Sequence, residues 1–364
     1  MRPIEAGLIC AWALVVLSLT GTADAEERPP AQQRWAILVS PDLENAGWSD
    51  LLTVRLSGAK DIALVERQQI HKALGEIQLS EAIGADAASA RLKLGRLLGA
   101  DALAILSQKE QDGKNYCHLI LCECRHGARL WQEYLPAAKD QTEAAIAAIG
   151  DRVQTASTRI SLGIRYVVGV APFVSQTLVH DYDHLQESLP AALEATLLGT
   201  PGIAVVEVRE AQAIAREATI RGQETTQRSV PLFVEGSFRI QDAVAKKNEA
   251  LTLSVRILRQ GEQERVVSRE DLALTEAARF LREDVASQVL AALGEKDKPS
   301  LSAEKQIELM AAQALSFGHL GDWKHAAGLR EAILLLAPDS ARARLDVITD
   351  YCRLVEAKFS LPPG

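Results

Sequence analysis

Ala36-Ile37-Leu38-Val39-Ser40-Pro41 and Val168-Gly169-Val170-Ala171-Pro172 are short apolar runs that each end in proline. Apolar runs of this length bounded by a turn residue are typical of buried strands. A helical stretch follows each run, at about 48–56 and at about 185–198. The same opening therefore occurs twice, at a spacing of about 130–140 residues.

The elements that follow these openings also recur in one order. Apolar residues at i, i+3, i+4 and i+7 predict one buried helix face, and alternation with period two predicts a half-buried strand. The matched pairs are second strands at 62–66 and 203–207, amphipathic helices at Ile70/Ala73/Leu74/Ile77 and Ala211/Ile214/Ala215/Ala218, third strands at 102–106 and 232–236, hairpin turns near Gly127 and Gly261, and closing helices at Thr142 and Thr275.

This order predicts an α/β (α+β) protein with two tandem mixed-sheet α/β domains from an internal duplication, followed by a short C-terminal α-helical segment. The expected parts are a signal peptide (1–25), a first repeat (26–162), a second repeat (163–294), a charged linker (295–300) and a helical segment (301–364). The repeats should differ in two places. The first has an extra helical stretch at 85–98 where the second has a polar run at 221–229, and the second has a longer loop at 175–183.

The C-terminal segment carries part of a repeat pattern. Ala314, Phe317, Gly321-Asp322-Trp323, Ala326 and Pro338 resemble one tetratricopeptide-type helix pair, although Arg330 stands where a large apolar residue is usual. A single pair buries too little core to be stable alone. We therefore expect this segment to cap the second repeat or to serve as a docking site.

The N-terminal residues indicate the cellular location of the protein, and its charge indicates which classes of partner it can bind. Arg2, the apolar run 8–19 and Ala23-Asp24-Ala25 have the pattern of a Sec-type signal peptide cleaved after Ala25, which predicts a periplasmic or secreted protein. A formal net charge of −8 with mixed signs argues against nucleic acid as a partner. We also expect no transmembrane span in the mature chain, because the later apolar runs are too short.

Two groups of residues have metal-like composition. His180 and His184 share a helix face if the helix starts early, but Asp183 with Gln186 also fits a capping box that would start the helix after His180. His118, Cys122, Cys124 and His126 have the same strand parity, yet positions 118 and 126 lie about 26 Å apart along an extended strand. A site made of Cys122, Cys124 and His126 would need a sharp bend. We predict no metal site and leave both groups open as alternatives.

The four cysteines after residue 25 are expected to be buried apolar side chains, without a disulfide between Cys122 and Cys124. Nucleotide-binding, hydrolase and metalloprotease motifs do not occur in the sequence. Glu207 and Glu210 are expected on the wet face of a helix, and Glu66-Arg67 at the surface where a strand ends. We therefore predict no catalytic residue, no cofactor and no enzyme activity.

One stretch of the first repeat carries a family resemblance. Val65-Glu66-Arg67, Ile70, Leu74, Glu76, Leu79, Ala90, Leu94-Gly95, Leu97-Leu98-Gly99-Ala100-Asp101 and Leu103 resemble the periplasmic domain of CsgG-like proteins, a group that includes curli-secretion proteins with TolB-N-terminal-like folds. The resemblance covers about 35–160 well and the second repeat more faintly. It implies this fold and an envelope location. The long amphipathic hairpins and lipidated cysteine of the family's secretion pores are missing.

These observations lead to a functional expectation. The chain is expected to be a non-catalytic exported cell-envelope interaction or scaffold protein that binds partner proteins through sheet edges or a groove between the repeats. One alternative is an outer-membrane secretion or assembly component that oligomerises. Another is an enzyme acting on envelope polymers, which requires converging carboxylates or a metal.

Overall fold

The computed structural model describes residues 32–220, 230–241, 250–295 and 301–359. The predicted signal peptide, the polar run 221–229 and linker positions 296–300 lie outside these residues. Among the described helices, none is both long enough and apolar enough to cross a lipid bilayer.

The first repeat contains one five-stranded mixed sheet with the order β2-β1-β3-β4-β5. Strand β1 runs parallel to β2 and β3, and β3, β4 and β5 are antiparallel. Asp112 and Gly113, both at positive φ, form the tight turn between β3 and β4. The strands are β1 (Gln33–Val39), β2 (Ile62–Leu64), β3 (Ala102–Gln111), β4 (Lys114–Glu123) and β5 (Arg129–Pro136).

The second repeat contains a sheet of the same topology. Its order is β8-β6-β9-β10-β11, with β6 parallel to both neighbours and β9, β10 and β11 antiparallel; the short β7 is an addition that pairs with β9. The strands are β6 (Tyr166–Val170), β7 (Val174–Ser175), β8 (Ile203–Glu207), β9 (Leu232–Gln241), β10 (Ala250–Arg259) and β11 (Arg265–Ala273). Every strand of the first sheet has a counterpart, so the predicted fold class is confirmed.

The helices also follow the predicted order. They are α1 (Pro41–Asn45), α2 (Trp48–Ser57), α3 (Arg67–Leu74), α4 (Ala88–Leu98) and α5 (Thr142–Ser161) in the first repeat, α6 (Leu185–Leu198), α7 (Val208–Ile220), α8 (Leu274–Phe280) and α9 (Ala286–Ala292) in the second, and α10 (Ala303–His319), α11 (Trp323–Leu336) and α12 (Ala341–Phe359) at the C-terminus. A π-helical turn, Leu281–Val285, joins α8 to α9.

Two details of these helices bear on the sequence expectations. Gly99 adopts a left-handed conformation with φ 56° and ends α4, as its position before Ala100-Asp101 predicts. Helix α3 is shorter than expected and ends at Leu74. Ile77 is still buried, but it reaches the core from the turn that follows the helix.

The two repeats share part of their core. The apolar layer around Trp35, Trp48 and Ile149 of the first repeat is continuous with Val206 and Ile214 of the second. The edge strands β5 and β8 lie side by side between the two sheets. The partly buried Arg159 side chain lies at this junction and donates one hydrogen bond to the carbonyl of Leu130 (3.3 Å) and another to that of Ile203 (3.1 Å). The described residues from 32 to 359 therefore form one compact unit.

The C-terminal segment forms three helices that pack against both repeats. Helix α11 packs on α6 of the second repeat and α10 packs on β5 of the first. The Ser316 hydroxyl accepts a hydrogen bond from the backbone N–H of Tyr134 at 2.6 Å. Asp322, predicted within a helix-pair turn, caps α11 by accepting a hydrogen bond from the His325 N–H at 3.4 Å. The segment therefore contacts more of the protein than the predicted cap on the second repeat alone.

Candidate functional site

An open cleft of about 960 Å³ lies in the first repeat. We call it the first-repeat cleft. It lies where the parallel strands β1 and β2 end and where α2 and α3 begin. Ligands of open α/β sheets commonly bind beside the carboxyl ends of the parallel strands, and pockets of this size suit a ligand or an inserted segment.

The cleft has an apolar interior and a polar rim. The apolar surface comes from strand ends, α3 and the turn that follows it, so a bound group would lose contact with water on several sides. The apolar residues are Ile37, Val39, Leu64, Val65, Ile70, Leu74, Leu79 and Ile83; the polar and charged ones include Ser40, Glu44, Asn45, Ser49, Asp50, Thr53, Glu66, Arg67, His71 and Ser107.

Ser107 provides an unused polar group inside this cleft. Its side chain is 7% exposed, and its hydroxyl has no hydrogen-bond partner within the described part of the chain. Nearby, the Ser40 hydroxyl accepts a hydrogen bond from the backbone N–H of Gln108 at 3.2 Å. A buried hydroxyl without a partner has an energetic cost that a bound donor or acceptor would remove.

Charged groups at the rim are paired with each other. Arg67 contacts Asp50 at 3.0 Å and also forms an ion pair with Glu44. This joins the start of α3 to α1 and α2, and it fixes one wall of the cleft. Glu66 and Arg67 are exposed, as the sequence predicts, but their role in lining a cleft was missed. The rule that strand ends of parallel sheets form clefts could have indicated it.

The second repeat has a crevice at the corresponding corner, lined by the ends of β6 and β8 and by α6. Here other parts of the same chain contribute to the lining of the crevice. Met310 and Phe317 of α10, Leu329 of α11 and Trp131 of β5 line the remaining space, which measures about 360 Å³. The corresponding corners of the two repeats therefore have different surroundings, because side chains of the C-terminal helices line only the second.

Glu194 is the unusual group in the covered crevice. It forms no hydrogen bond or ion pair with any described residue, and it is only partly exposed. Burial, reinforced by the charges of Glu207 and Glu187, raises the pKa of the Glu194 carboxyl to about 8. Glu187 itself is paired with Lys324 of α11 at 2.9 Å. Glu194 is therefore largely protonated at neutral pH, although the sequence offers no sign of this.

A buried ionic cluster joins the two repeats and corrects one prediction. Glu210 of α7 is fully buried, not on the wet face of its helix. Its carboxylate pairs with the fully buried Arg91 of α4 and lies 3.1 Å from the Arg129 guanidinium. Glu207 is exposed, as predicted, and pairs with Arg129 at 2.7 Å. Helix α7 packs on α4 across the repeat boundary. This contact buries the face of α7 that would be exposed to solvent if the second repeat stood alone.

The cluster is completed by hydrogen bonds to main-chain groups. Arg91 donates to the carbonyls of Ala82 (3.0 Å), Gly84 (2.6 Å) and Gly127 (3.1 Å), and the N–H of Arg129 donates to Glu210 at 2.8 Å. A buried ion pair is tolerated when its remaining donors are satisfied in this way. The cluster therefore acts as a structural link between the repeats.

The His and Cys residues of β4 and of the turn that follows it do not converge on an ion. The ring of His118 stacks on Tyr134 with centroids 4.2 Å apart, and burial lowers the pKa of His118 to about 3. His126 lies 3.2 Å from Glu123, whose carboxylate also accepts the N–H groups of the following turn. Burial raises the pKa of the Cys122 thiol to about 11. Across the residues described, no three His, Cys, Asp or Glu side chains are grouped for a metal ion.

In the segment around His180, the helix starts after His180, as one of the two sequence readings expected, but it is not capped as that reading predicted. His180–Tyr182 forms a single 3-10 turn, and α6 begins at Leu185 without a side-chain cap. The predicted Asp183 cap is therefore wrong, because the Asp183 carboxylate instead contacts the His180 ring at 2.9 Å. Since His180 precedes α6, it does not share a helix face with His184.

The cysteines are free thiols, as predicted for Cys122 and Cys124. Cys117 and Cys122 are buried and Cys124 is partly buried, but Cys352 is exposed on α12, so its predicted burial is wrong. Cys352 lies on the outer surface of α12, and the sequence analysis did not predict which face of this helix is buried.

Comparison of the chain with protein-family models, with curated proteins and with solved structures finds no match.

Proposed function

We propose that this chain is a non-catalytic exported cell-envelope protein that binds other proteins, and that the first-repeat cleft receives a helical segment of a partner. The observation that carries the proposal is the difference between the two repeats. In the second repeat, residues of the chain's own helices α10 and α11 line the corner that corresponds to this cleft and leave a smaller space of about 360 Å³. The same corner of the first repeat is open and apolar.

Helix binding fits the described surfaces better than strand addition. Strands β5 and β8 face each other, and β2 has only three residues. The remaining edge strand, β11, is exposed and charged, and its pairing with β10 contains a register irregularity, features that disfavour the addition of another strand. An amphipathic helix in an apolar groove is a common mode of peptide recognition.

The surface beside the cleft supports the same occupant. Leu51 and Val54 of α2 are 46% and 75% exposed, while the matching helix of the second repeat, α6, is covered by α11. The exported address is supported by the signal-like pattern of residues 1–25, and the CsgG-like relationship by the stretch from Leu94 to Asp101.

The experiment places a photo-crosslinking amino acid at His71, an exposed position of the cleft, and at Val266 on the distant strand β11 as the matched control. Crosslinked partners are identified in intact cells. We expect products at position 71 that disappear when Thr53→Trp fills the cleft, while products at 266 are unaffected. Identical products at both positions, or persistence of the position-71 products with Thr53→Trp, would refute the proposal.

A further inference from the structure

The crevice of the second repeat, which we call the second-repeat crevice, is lined by all three parts of the described chain. Trp131 belongs to β5 of the first repeat, Leu198 to α6 of the second, and Met310, Phe317 and Leu329 to the C-terminal helices. Four of these apolar side chains, all except Met310, are partly exposed, so the fold leaves some of their surface unpacked. A space of about 360 Å³ with this lining has the size and character of a site for a small organic molecule.

The basic side chains that line the second-repeat crevice are already paired with carboxylates. The pairs are Arg129 with Glu207 (2.7 Å) and Glu210 (3.1 Å), Arg209 with Asp86 (3.2 Å), and His325 with Asp322 (2.7 Å). The side chains of Glu207, Arg209 and His325 are more than half exposed, so they form a polar rim in contact with water. An anionic ligand would therefore meet cations whose charge is already balanced.

Glu194 is the acidic residue of the lining that has no such pair. Within the described parts of the chain, its carboxyl forms no hydrogen bond and no ion pair. Glu187, two turns earlier on the same helix, is paired with Lys324 at 2.9 Å. A carboxylate that is partly removed from water without a partner is unfavourable, and a cation placed beside it removes this cost. The interior of the crevice therefore lacks one positive charge.

We propose that the second-repeat crevice binds a small organic amine, whose ammonium group pairs with the Glu194 carboxylate and whose apolar body packs against Phe317 and Leu329. An ammonium group has three N–H donors and forms strong, charge-assisted hydrogen bonds to a carboxylate. Because the walls come from β5, α6, α10 and α11, the bound amine contacts both repeats and the C-terminal helices. The crevice is separate from the first-repeat cleft, so amine binding does not require a protein partner.

Binding of an amine is coupled to release of a proton from Glu194. Burial and the charges of Glu207 and Glu187 raise the pKa of Glu194 to about 8, although Arg129 and His325 oppose this shift. The ammonium group requires the carboxylate form, so the affinity should rise about tenfold per pH unit below about pH 7.5 and level off above about pH 8. A neutral hydrogen-bond acceptor requires the protonated form instead, and its affinity should fall above about pH 8.

Isothermal titration calorimetry of the full chain with phenylbutylamine tests the proposal. Alkyl amines remain protonated to about pH 10, so this probe keeps its charge over the whole range. We expect saturable binding at about pH 8. Butylamine, which lacks the aromatic ring, and phenylbutanol, which lacks the charge, should each bind at least about tenfold more weakly.

Glu194→Gln tests whether the carboxylate carries the binding, because this change keeps the side-chain volume and removes the charge. Phenylbutylamine should bind this variant at least about tenfold more weakly at about pH 8, and no better than phenylbutanol does. Any pH dependence that remains reports His325, whose pKa is raised by the Asp322 carboxylate. Glu143→Gln, at an exposed position of α5 outside the crevice, is the matched control and should leave the affinity unchanged. Circular dichroism confirms that each variant is folded.

Several outcomes of these titrations would overturn the proposal. One is the absence of phenylbutylamine binding at millimolar concentrations, and another is an unchanged affinity in Glu194→Gln. Phenylbutanol that binds as tightly as phenylbutylamine, with an affinity that falls as the pH rises, would show that Glu194 acts as a neutral hydrogen-bond donor. Equal binding of butylamine and phenylbutylamine would show that the apolar walls do not contact the ligand.

Discussion

Removing the carboxylate of Glu210 should destabilise the whole protein more than any surface change. Glu210 and Arg91 are both fully buried, and Arg91 belongs to the other repeat. In Glu210→Gln the side-chain volume is kept, but the guanidiniums of Arg91 and Arg129 lose their shared counterion. Leaving one buried charge uncompensated costs about 3–5 kcal/mol of the free energy of unfolding.

The matched control is Glu207→Gln, which also removes a carboxylate from Arg129. The Glu207 side chain is 61% exposed, so its ion pair should contribute at most about 1 kcal/mol. The assay is urea unfolding followed by circular dichroism, supported by thermal unfolding. At about 2.1 cal/mol/K per residue, a loss of 3–5 kcal/mol in a chain of this length lowers the melting temperature by roughly 4–7 °C.

A double-mutant cycle separates the pair from its surroundings. Because Arg91→Met removes the charge that Glu210 compensates, the double variant Arg91→Met/Glu210→Leu should be destabilised by less than the sum of its single variants, with a coupling of about 2 kcal/mol or more. The reasoning is refuted if Glu210→Gln costs no more than Glu207→Gln, or if the cycle is additive.

Two further predictions concern close packing and proton binding. A Cβ on Gly236 would lie 2.4 Å from the Phe173 ring, so Gly236→Ala should lower the free energy of unfolding by about 1–3 kcal/mol. The control is Gly58→Ala, because there is open space around Gly58. It should change the free energy of unfolding by less than about 0.5 kcal/mol in the same urea titration. Because the pKa of Glu194 is raised to about 8, the folded state holds a proton that the unfolded state loses, and stability should fall as the pH rises from about 4.5 to 8. Glu194→Gln should remove that part of the pH dependence, which amounts to at most about 5 kcal/mol of the free energy of unfolding. If the unfolding free energy of the variant kept the wild-type pH dependence, the raised pKa of Glu194 would be contradicted.

The elements of the fold were accessible from the sequence because each repeat carries strong local periodicity. Alternation in β10 and the spacing of Ala211 and Ile214 in α7 each reflect burial on one face, which is a short-range property of the chain. The order of these elements, repeated twice, then implies one topology. Strand order in the structure agrees with that inference in both sheets.

The candidate sites were less accessible because they depend on contacts between distant segments. Glu210 is polar and lies next to Ala211, so the periodic pattern gives no sign that α4 of the other repeat covers it. The raised pKa of Glu194 likewise depends on α10 and α11, more than 100 residues away in the chain.

The lining of the second-repeat crevice by α10 and α11 sets the valency expected from the proposed function. Two equivalent corners would allow two partner segments to bind one molecule, but residues of α10 and α11 line only the second-repeat crevice, so the proposal expects a stoichiometry of one to one.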